Sequence, residues 1–161
     1  MNTSVVDKAV GNLRQKSRPS FSTVLVYEDL TCGERAWSFY EKLTRRFEGD
    51  FQFSHLMWSF SVLGSPQTLV LAARSAADAH LVILCFTGNT TLPANVKDWV
   101  RRWARLANNQ NSALVTLVDQ KARSGTAIAT HSYLRRILDA RKIDFFPHGF
   151  SASALRISRP E

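Results

Sequence analysis

Short apolar runs and amphipathic helical segments alternate along the whole of this chain, and that alternation limits the folds open to it. Five runs rich in β-branched and aromatic residues occur at 22–29, 50–60, 80–86, 112–120 and 143–150. The runs "STVLVYED" and "HLVILCF" are apolar without strict alternation, as expected for strands that are buried on both faces. Such strands, joined by helical crossovers of the usual right hand, form a parallel sheet that helices cover on both sides. The pattern therefore predicts a doubly wound, three-layer αβα fold with a five-stranded parallel sheet in the order 2-1-3-4-5.

The segments between these runs carry the helical signals. The clearest is "LPANVKDWVRRWARLAN" at 92–108, where Trp99 and Trp103 fall on one apolar stripe. We interpret both tryptophans as core residues, and a dimer face is the alternative. Thr31 and Glu34 have the spacing of a capping box, which predicts the start of the first helix.

The chain length and the extent of the alternation set the domain organisation. A length of 161 residues suits one domain, which we assign to residues 21–150. The fifth strand is expected to stop at Pro147, because proline cannot donate to a strand ladder. Residues 1–20 have no clear apolar period and are interpreted as a mobile basic arm, and residues 151–161 as a C-terminal tail.

Composition excludes several classes of protein. No apolar run approaches the ~20 residues that cross a bilayer, and the N-terminus lacks the apolar core of a signal peptide, so we expect a cytoplasmic protein without a membrane partner. Its two cysteines, Cys32 and Cys85, are too few for a disulfide scaffold and form no CxxC motif. The four histidines are scattered without the spacing of metal ligands. We therefore predict no metal and no cofactor.

Positive charge is concentrated in the second half of the chain. The formal net charge is +8, and residues 81–150 hold ten basic and four acidic side chains. Lys97, Arg101 and Arg105 recur at every fourth position of one helix, and Arg102 adjoins them, so together they form a basic face. Such a face attracts nucleic acid or an acidic protein through long-range electrostatics, although solvated helix surface is the simpler interpretation.

Candidate site residues lie where the strands end, because doubly wound sheets bind ligands at the carboxyl ends of their strands. They are Glu28 and Asp29 after the first strand, Cys85, Thr87 and Asn89 around the end of the third, Asp119 at the end of the fourth, and His148 near the fifth. Two alternatives remain for the paired acids. They form a loose cation site, or they are negative charges that stabilise the N-terminus of the following helix.

The string "TGNT", from Thr87 to Thr90, resembles the phosphate loop of flavodoxins. That resemblance implies a flavin phosphate held by backbone N–H groups at a helix N-terminus. In flavodoxins, however, the loop follows the first strand, whereas this string follows the third. Pro93 comes soon after it and has no N–H to donate.

From Phe21 to Phe150 the chain also resembles a response-regulator receiver, in its strand–helix alternation and in the acids Glu28 and Asp29 that close strand one. The resemblance implies that such acids help to hold magnesium and that an aspartate ending the third strand accepts a phosphoryl group. Cys85 stands at that acceptor position here. A thiol does not replace a carboxylate on magnesium, which prefers oxygen ligands.

Two further working parts of a receiver are missing from the expected positions. The hydroxyl that receivers carry at the end of strand four falls near Val118 or Asp119, and their strand-five lysine falls near Pro147. The resemblance therefore implies a degenerate receiver that is folded but is not phosphorylated by the usual route.

Thiol enzymes of similar fold offer another comparison, with the low-molecular-weight tyrosine phosphatases and arsenate reductases, which keep a nucleophilic cysteine after strand one. Cys32 stands in a similar place, but the phosphatases need an arginine six positions later, where this chain has Ser38. We interpret Cys32 as an ordinary small residue at a helix start.

The hypothesis that follows is a non-catalytic, receiver-like regulatory module that acts by binding a protein partner. Nucleic-acid binding through the basic face and the N-terminal arm is the first alternative. Binding of a small molecule or a flavin at the strand ends is the second.

Overall fold

The computed structural model of this chain describes residues 18–107, 112–119 and 125–150. In that part of the chain the strands are β1 (Ser20–Tyr27), β2 (Gln52–Ser59), β3 (Leu81–Phe86), β4 (Ala113–Asp119) and β5 (Asp144–Phe150). The helices are α1 (Leu30–Phe47), α2 (Pro66–Asp78), α3 (Ala94–Leu106) and α4 (Gly125–Asp139), with a 3₁₀ helix at Ser61–Gly64. Within these ranges no helix combines the length and the apolar character that a membrane span requires. The predicted tail, and all of the predicted arm except residues 18–20, lie outside the described residues.

The five strands are all parallel and follow the order β2-β1-β3-β4-β5. This confirms the predicted doubly wound αβα fold. β3 is the central strand, and all six of its residues are buried because helices cover both of its faces. One row of residues paired in register crosses the whole sheet, and it consists of Ser59, Tyr27, Cys85, Leu117 and His148.

The sheet separates two apolar cores. Helices α2, α3 and α4 pack against one face, around the stacked rings of Trp99 and Trp103, whose centroids are 5.5 Å apart. Both tryptophans are fully buried, which confirms that they belong to the core. α1 packs against the other face and contributes Cys32, Ala36 and Tyr40 to a second core. The ends of β1 and β3 therefore lie between two packed layers, which fixes where their loops emerge.

Two local predictions were wrong. β5 does not stop at Pro147 but pairs with β4 as far as Phe150. It is an edge strand, where every second N–H has no partner in the sheet, so a proline is tolerated. The start of α1 is not capped by Thr31 and Glu34. The N-cap is Asp29, whose side chain accepts a hydrogen bond from the backbone N–H of Cys32.

Candidate functional site

The ends of β1 and β3 bring the predicted acids and the "TGNT" loop together. The backbone N–H of Glu28 donates to the carbonyl of Cys85 at 3.1 Å, which ties the two strand ends to each other. The hydroxyl of Thr87 donates to Glu28 Oε2 at 3.0 Å, and the N–H of Asn89 lies 3.5 Å from the same hydroxyl. Four predicted site residues thus meet at one place, and the Glu28 carboxylate already has a donor from the protein.

Asp29 is engaged with α1. Its Oδ1 accepts from the N–H of Cys32 at 2.9 Å, and its carbonyl accepts from the N–H of Gly33 at 2.8 Å. An N-cap of this kind satisfies an otherwise free N–H group and places negative charge at the positive end of the helix dipole. Of the two alternatives for the acids, stabilisation of the helix N-terminus therefore describes Asp29. Among the described residues, no three His, Cys, Asp or Glu side chains are grouped as metal ligands would be.

Cys85, which the resemblance to receivers places at the phosphoacceptor position, lies inside the sheet. It is 0% exposed and packs in the core beneath α1. A hydrogen bond with the Cys32 thiol, and then burial, raise the pKa of the Cys85 thiol well above its ordinary range. Both cysteines are free thiols. A buried, protonated thiol is a poor ligand for magnesium and has no access to a phosphodonor in solution.

The loop after β3 turns tightly, as a phosphate loop does, but the groups around it do not favour an anion. Gly88 adopts a left-handed φ of 80°, which glycine supplies at little cost. The Thr87 hydroxyl, however, is bonded to the Glu28 carboxylate, and that negative charge would repel a phosphate. α3 begins after Pro93 with no side-chain cap, and proline itself provides no N–H.

The last two strands do not add their predicted residues to this cluster. Asp119 closes β4 at the same edge of the sheet, opposite Phe150 in register. His148 lies on β5, two strands away from Cys85, and its ring centroid is 6.0 Å from that of Phe39 on α1. The carboxyl edge therefore joins the ends of β1 and β3 and leaves His148 apart.

Thr116, the hydroxyl residue of β4, faces α4 and not the carboxyl edge. Its Oγ1 lies 3.1 Å from Nε2 of His131. Burial, and then the positive charge of Arg135, lower the pKa of His131 below its usual 6.5. This contact was not predictable, because neither segment alone shows how β4 and α4 are aligned.

The four basic side chains of the α3 face differ in their surroundings. Nζ of Lys97 lies 5.3 Å from the centroid of the Tyr133 ring on α4, and Arg101 forms an ion pair with Asp98. Arg102 and Arg105 are exposed and have no ion-pair partner within the described ranges. Two of the four cations are therefore exposed and without an ion pair in the described part of the chain.

A groove with a volume of about 460 Å³ lies between these arginines and α2, and we call it the α2–α3 groove. Its apolar side includes Leu63, Leu69 and Val70, and its polar side includes Asp98, Arg101, Arg102 and Arg105. Asn95 joins the two sides, because its Nδ2 donates to the carbonyl of Phe60 at 2.9 Å. This groove was not predicted from the sequence; the basic face was the one signal that pointed towards it.

Comparison with known proteins identifies the fold and goes no further. No protein-family model matches the chain, and no curated protein sequence does. Among solved structures, the chain is similar to a flavodoxin of Streptococcus pneumoniae TIGR4, with a TM-score of 0.52 and 15% identity, over 84% of this chain and 90% of that one. Together with the strand order, this similarity shows that the fold is flavodoxin-like.

Proposed function

We propose that this protein is a non-catalytic regulatory module, receiver-like in layout, that acts by binding another protein. The observation that supports the proposal best is the state of Cys85. A phosphoacceptor has to meet both magnesium and the phosphodonor, whereas this thiol is wholly buried and hydrogen-bonded to Cys32. The chain therefore has no acceptor at the position where a receiver needs one.

The paired acids support the same proposal. Glu28 accepts from Thr87, and Asp29 caps α1. A magnesium ion bound between them would have to compete with both hydrogen bonds, without a carboxylate from β3 to complete its coordination. The acids therefore stabilise the strand ends and the start of α1. The proposed activity is then binding of a partner at the protein surface. A net charge of +8 favours partners with acidic surfaces.

Intact-mass spectrometry tests the absence of phosphoryl transfer. The protein is incubated with acetyl phosphate and magnesium, alongside a receiver that has its aspartate as a positive control. We expect the mass of this protein to stay unchanged while the control gains one phosphoryl group. An adduct on this protein that disappears in the Glu28→Gln variant would contradict the proposal.

Nucleic-acid binding is a second candidate, supported by the exposed guanidinium groups of Arg102 and Arg105, which form no ion pair with any described residue. Phosphate contacts alone would give weak affinity that falls steeply with salt and does not depend on sequence. Filter binding of an oligonucleotide at low and at moderate salt tests this candidate, and lack of retention at low salt would end it. Flavin binding, the remaining hypothesis, gains only a shared fold from the flavodoxin similarity.

A further inference from the structure

We propose that the α2–α3 groove binds an acidic, partly apolar peptide segment of a partner protein. An apolar side chain of that segment lies against α2, and flanking carboxylates pair with Arg102 and Arg105. This inference rests on the proposed function, since it names the chemistry of the partner that a non-catalytic module would bind.

The groove has the size and the rigidity of a binding site. Its volume of about 460 Å³ falls within the ~300–1,000 Å³ that is usual for ligand pockets. Leu63 and Leu69 on its apolar side are only 1% and 7% exposed, so they belong to the core and stay in place. The hydrogen bond from Asn95 to Phe60 holds the 3₁₀ segment against α3. A ligand would therefore meet a largely pre-formed surface.

The two sides of the groove call for different groups on one ligand. Pro66 and Val70 offer apolar contact on one side, above the buried Leu63 and Leu69. On the other side, Arg102 and Arg105 are three positions apart and so project from the same region of the helix surface. Each guanidinium presents a planar set of donors that matches a carboxylate in two-point hydrogen bonding. A leucine-like side chain between acidic residues satisfies both sides at once.

A nucleic acid fits the groove less well. Lys97 lies over Tyr133 and Arg101 is paired with Asp98, so the basic face does not offer the run of free cations that a phosphate backbone follows. Asp98 adds a negative charge to the groove lining. None of the described residues that line the groove is aromatic, so they provide no platform on which a base could stack.

Fluorescence anisotropy with labelled synthetic peptides tests the inference on the full chain. The first peptide carries two adjacent leucines flanked on both sides by glutamates. One matched peptide replaces the leucines with serine, and another replaces the glutamates with glutamine. We expect the first peptide to bind, and each matched peptide to bind about tenfold more weakly or worse, since each lacks half of the recognised chemistry.

Substitutions locate the binding in the groove. A Cβ added at Gly64, which lines the groove, meets nothing within 4 Å, so Gly64→Phe adds a bulky side chain beside the groove without a clash at the backbone. Gly49→Phe is the matched control, because Gly49 also has open space around it and follows α1 on the opposite face of the sheet. We expect only the first variant to lose the peptide. Arg102→Gln should weaken binding about three- to tenfold, and Arg136→Gln, on α4, should not.

The inference is overturned if the wild-type protein does not bind the leucine–glutamate peptide. It is equally overturned if Gly64→Phe, with a wild-type circular dichroism spectrum, binds that peptide as well as the wild type does. Binding of an oligo-dT strand in place of the peptide, abolished by Arg102→Gln, would show that the groove recognises nucleic acid. None of these results changes the intact-mass test, so failure of the groove and failure of the proposed function can be told apart.

Discussion

The carboxyl edge of the sheet and the α2–α3 groove are both places where a flavodoxin-like fold has room for a ligand, but their polar groups differ in availability. At the edge, Glu28, Asp29 and Thr87 each hydrogen-bond to the protein itself. In the groove, Arg102 and Arg105 are exposed and have no ion-pair partner among the described residues. The edge is where doubly wound sheets usually bind ligands. The groove lies elsewhere, but two of its arginines form no ion pair with a described residue. Position within a fold therefore does not by itself identify the working surface.

This contrast has an energetic consequence. The edge contacts connect β1 to β3 and β1 to α1, so they contribute to the free energy of unfolding. In the described part of the chain Arg102 and Arg105 form no ion pair, so the proposal assigns them a role in binding and not in folding. Substitutions at the edge should therefore lower stability, whereas substitutions of the exposed groove residues Gly64, Arg102 and Arg105 should leave it nearly unchanged.

The most damaging substitution should be Cys85→Asp, which places an aspartate where the resemblance to receivers puts the acceptor. The new carboxylate would be buried at a position that is 0% exposed, and the positive charge of Arg35 would offset only part of its desolvation, so we expect the free energy of unfolding to fall by about 3–5 kcal/mol. Denaturant unfolding at neutral pH measures the loss, and Cys85→Ala, which introduces no charge, should cost less. A Cys85→Asp protein that is as stable as the wild type and accepts a phosphoryl group would show that the edge is an open site.

Removal of the α1 cap should have the next largest effect. Asp29→Ala leaves the N–H of Cys32 without its acceptor, and we expect a loss of about 1 kcal/mol in the free energy of unfolding. Asp29→Asn is the matched control, because asparagine caps helices about as well as aspartate does. If the alanine variant unfolds at the same denaturant concentration as the asparagine variant, Asp29 has no structural role at the edge.

A smaller loss is expected for Thr87→Val, which removes the donor to Glu28. The bond is partly exposed to solvent, so we expect a loss of about 0.5 kcal/mol. Thr90→Val, an exposed position of the same loop, serves as the control in chemical unfolding. Equal stability of the two variants would mean that the Glu28 carboxylate does not depend on this bond.

The hydroxyl of Thr116 on β4 also has a partner within the protein, which is His131. The pH dependence of stability tests this contact. Because the pKa of His131 is lowered in the folded state, the unfolded chain takes up the proton first as the pH falls. The stability that the neutral ring contributes is therefore complete above pH 6.5 and is lost as the pH falls through the lowered value. His131→Gln should lack this part of the decline, as measured by unfolding across about pH 5–8. An unchanged pH profile in the variant would contradict it.

On the groove side, Gly64→Phe should change the free energy of unfolding by no more than about 0.5 kcal/mol, as is usual for surface positions. The added ring enters open space, so no packed contact is lost. Thermal or chemical unfolding beside the Gly49→Phe control measures this. A large loss of stability would mean that the groove is a structural seam and not a free surface.

Strand order and layering were predictable because each strand carries its own signal. The run from Leu81 to Phe86 is apolar throughout, and the structure buries every residue of it. The period of α3 placed Trp99 and Trp103 in the core for the same reason. Both features depend on local patterns that a parallel sheet requires of its strands and covering helices.

The features that were wrongly predicted or missed from the sequence all depend on tertiary contacts. Pro147 is tolerated because β5 is an edge strand, which is decided by the order of pairing and not by the strand itself. The spacing of Asp29 and Cys32 suits a cap as well as that of Thr31 and Glu34, and only the path of the chain selects between them. The α2–α3 groove arises where two helices and a 3₁₀ turn meet, so no single segment encodes it.

Amide chemical shifts of the isotope-labelled protein decide whether the carboxyl edge is closed. The protein is titrated first with magnesium and then with flavin mononucleotide, each to millimolar concentration. We predict that the amide resonances of Glu28, Asp29, Thr87 and Asn89 do not move. The side chains of Glu28 and Thr87 are already hydrogen-bonded to each other, and that of Asp29 is bonded to α1. Saturable shifts confined to those amides would contradict this and would make the edge, and not the groove, the functional site.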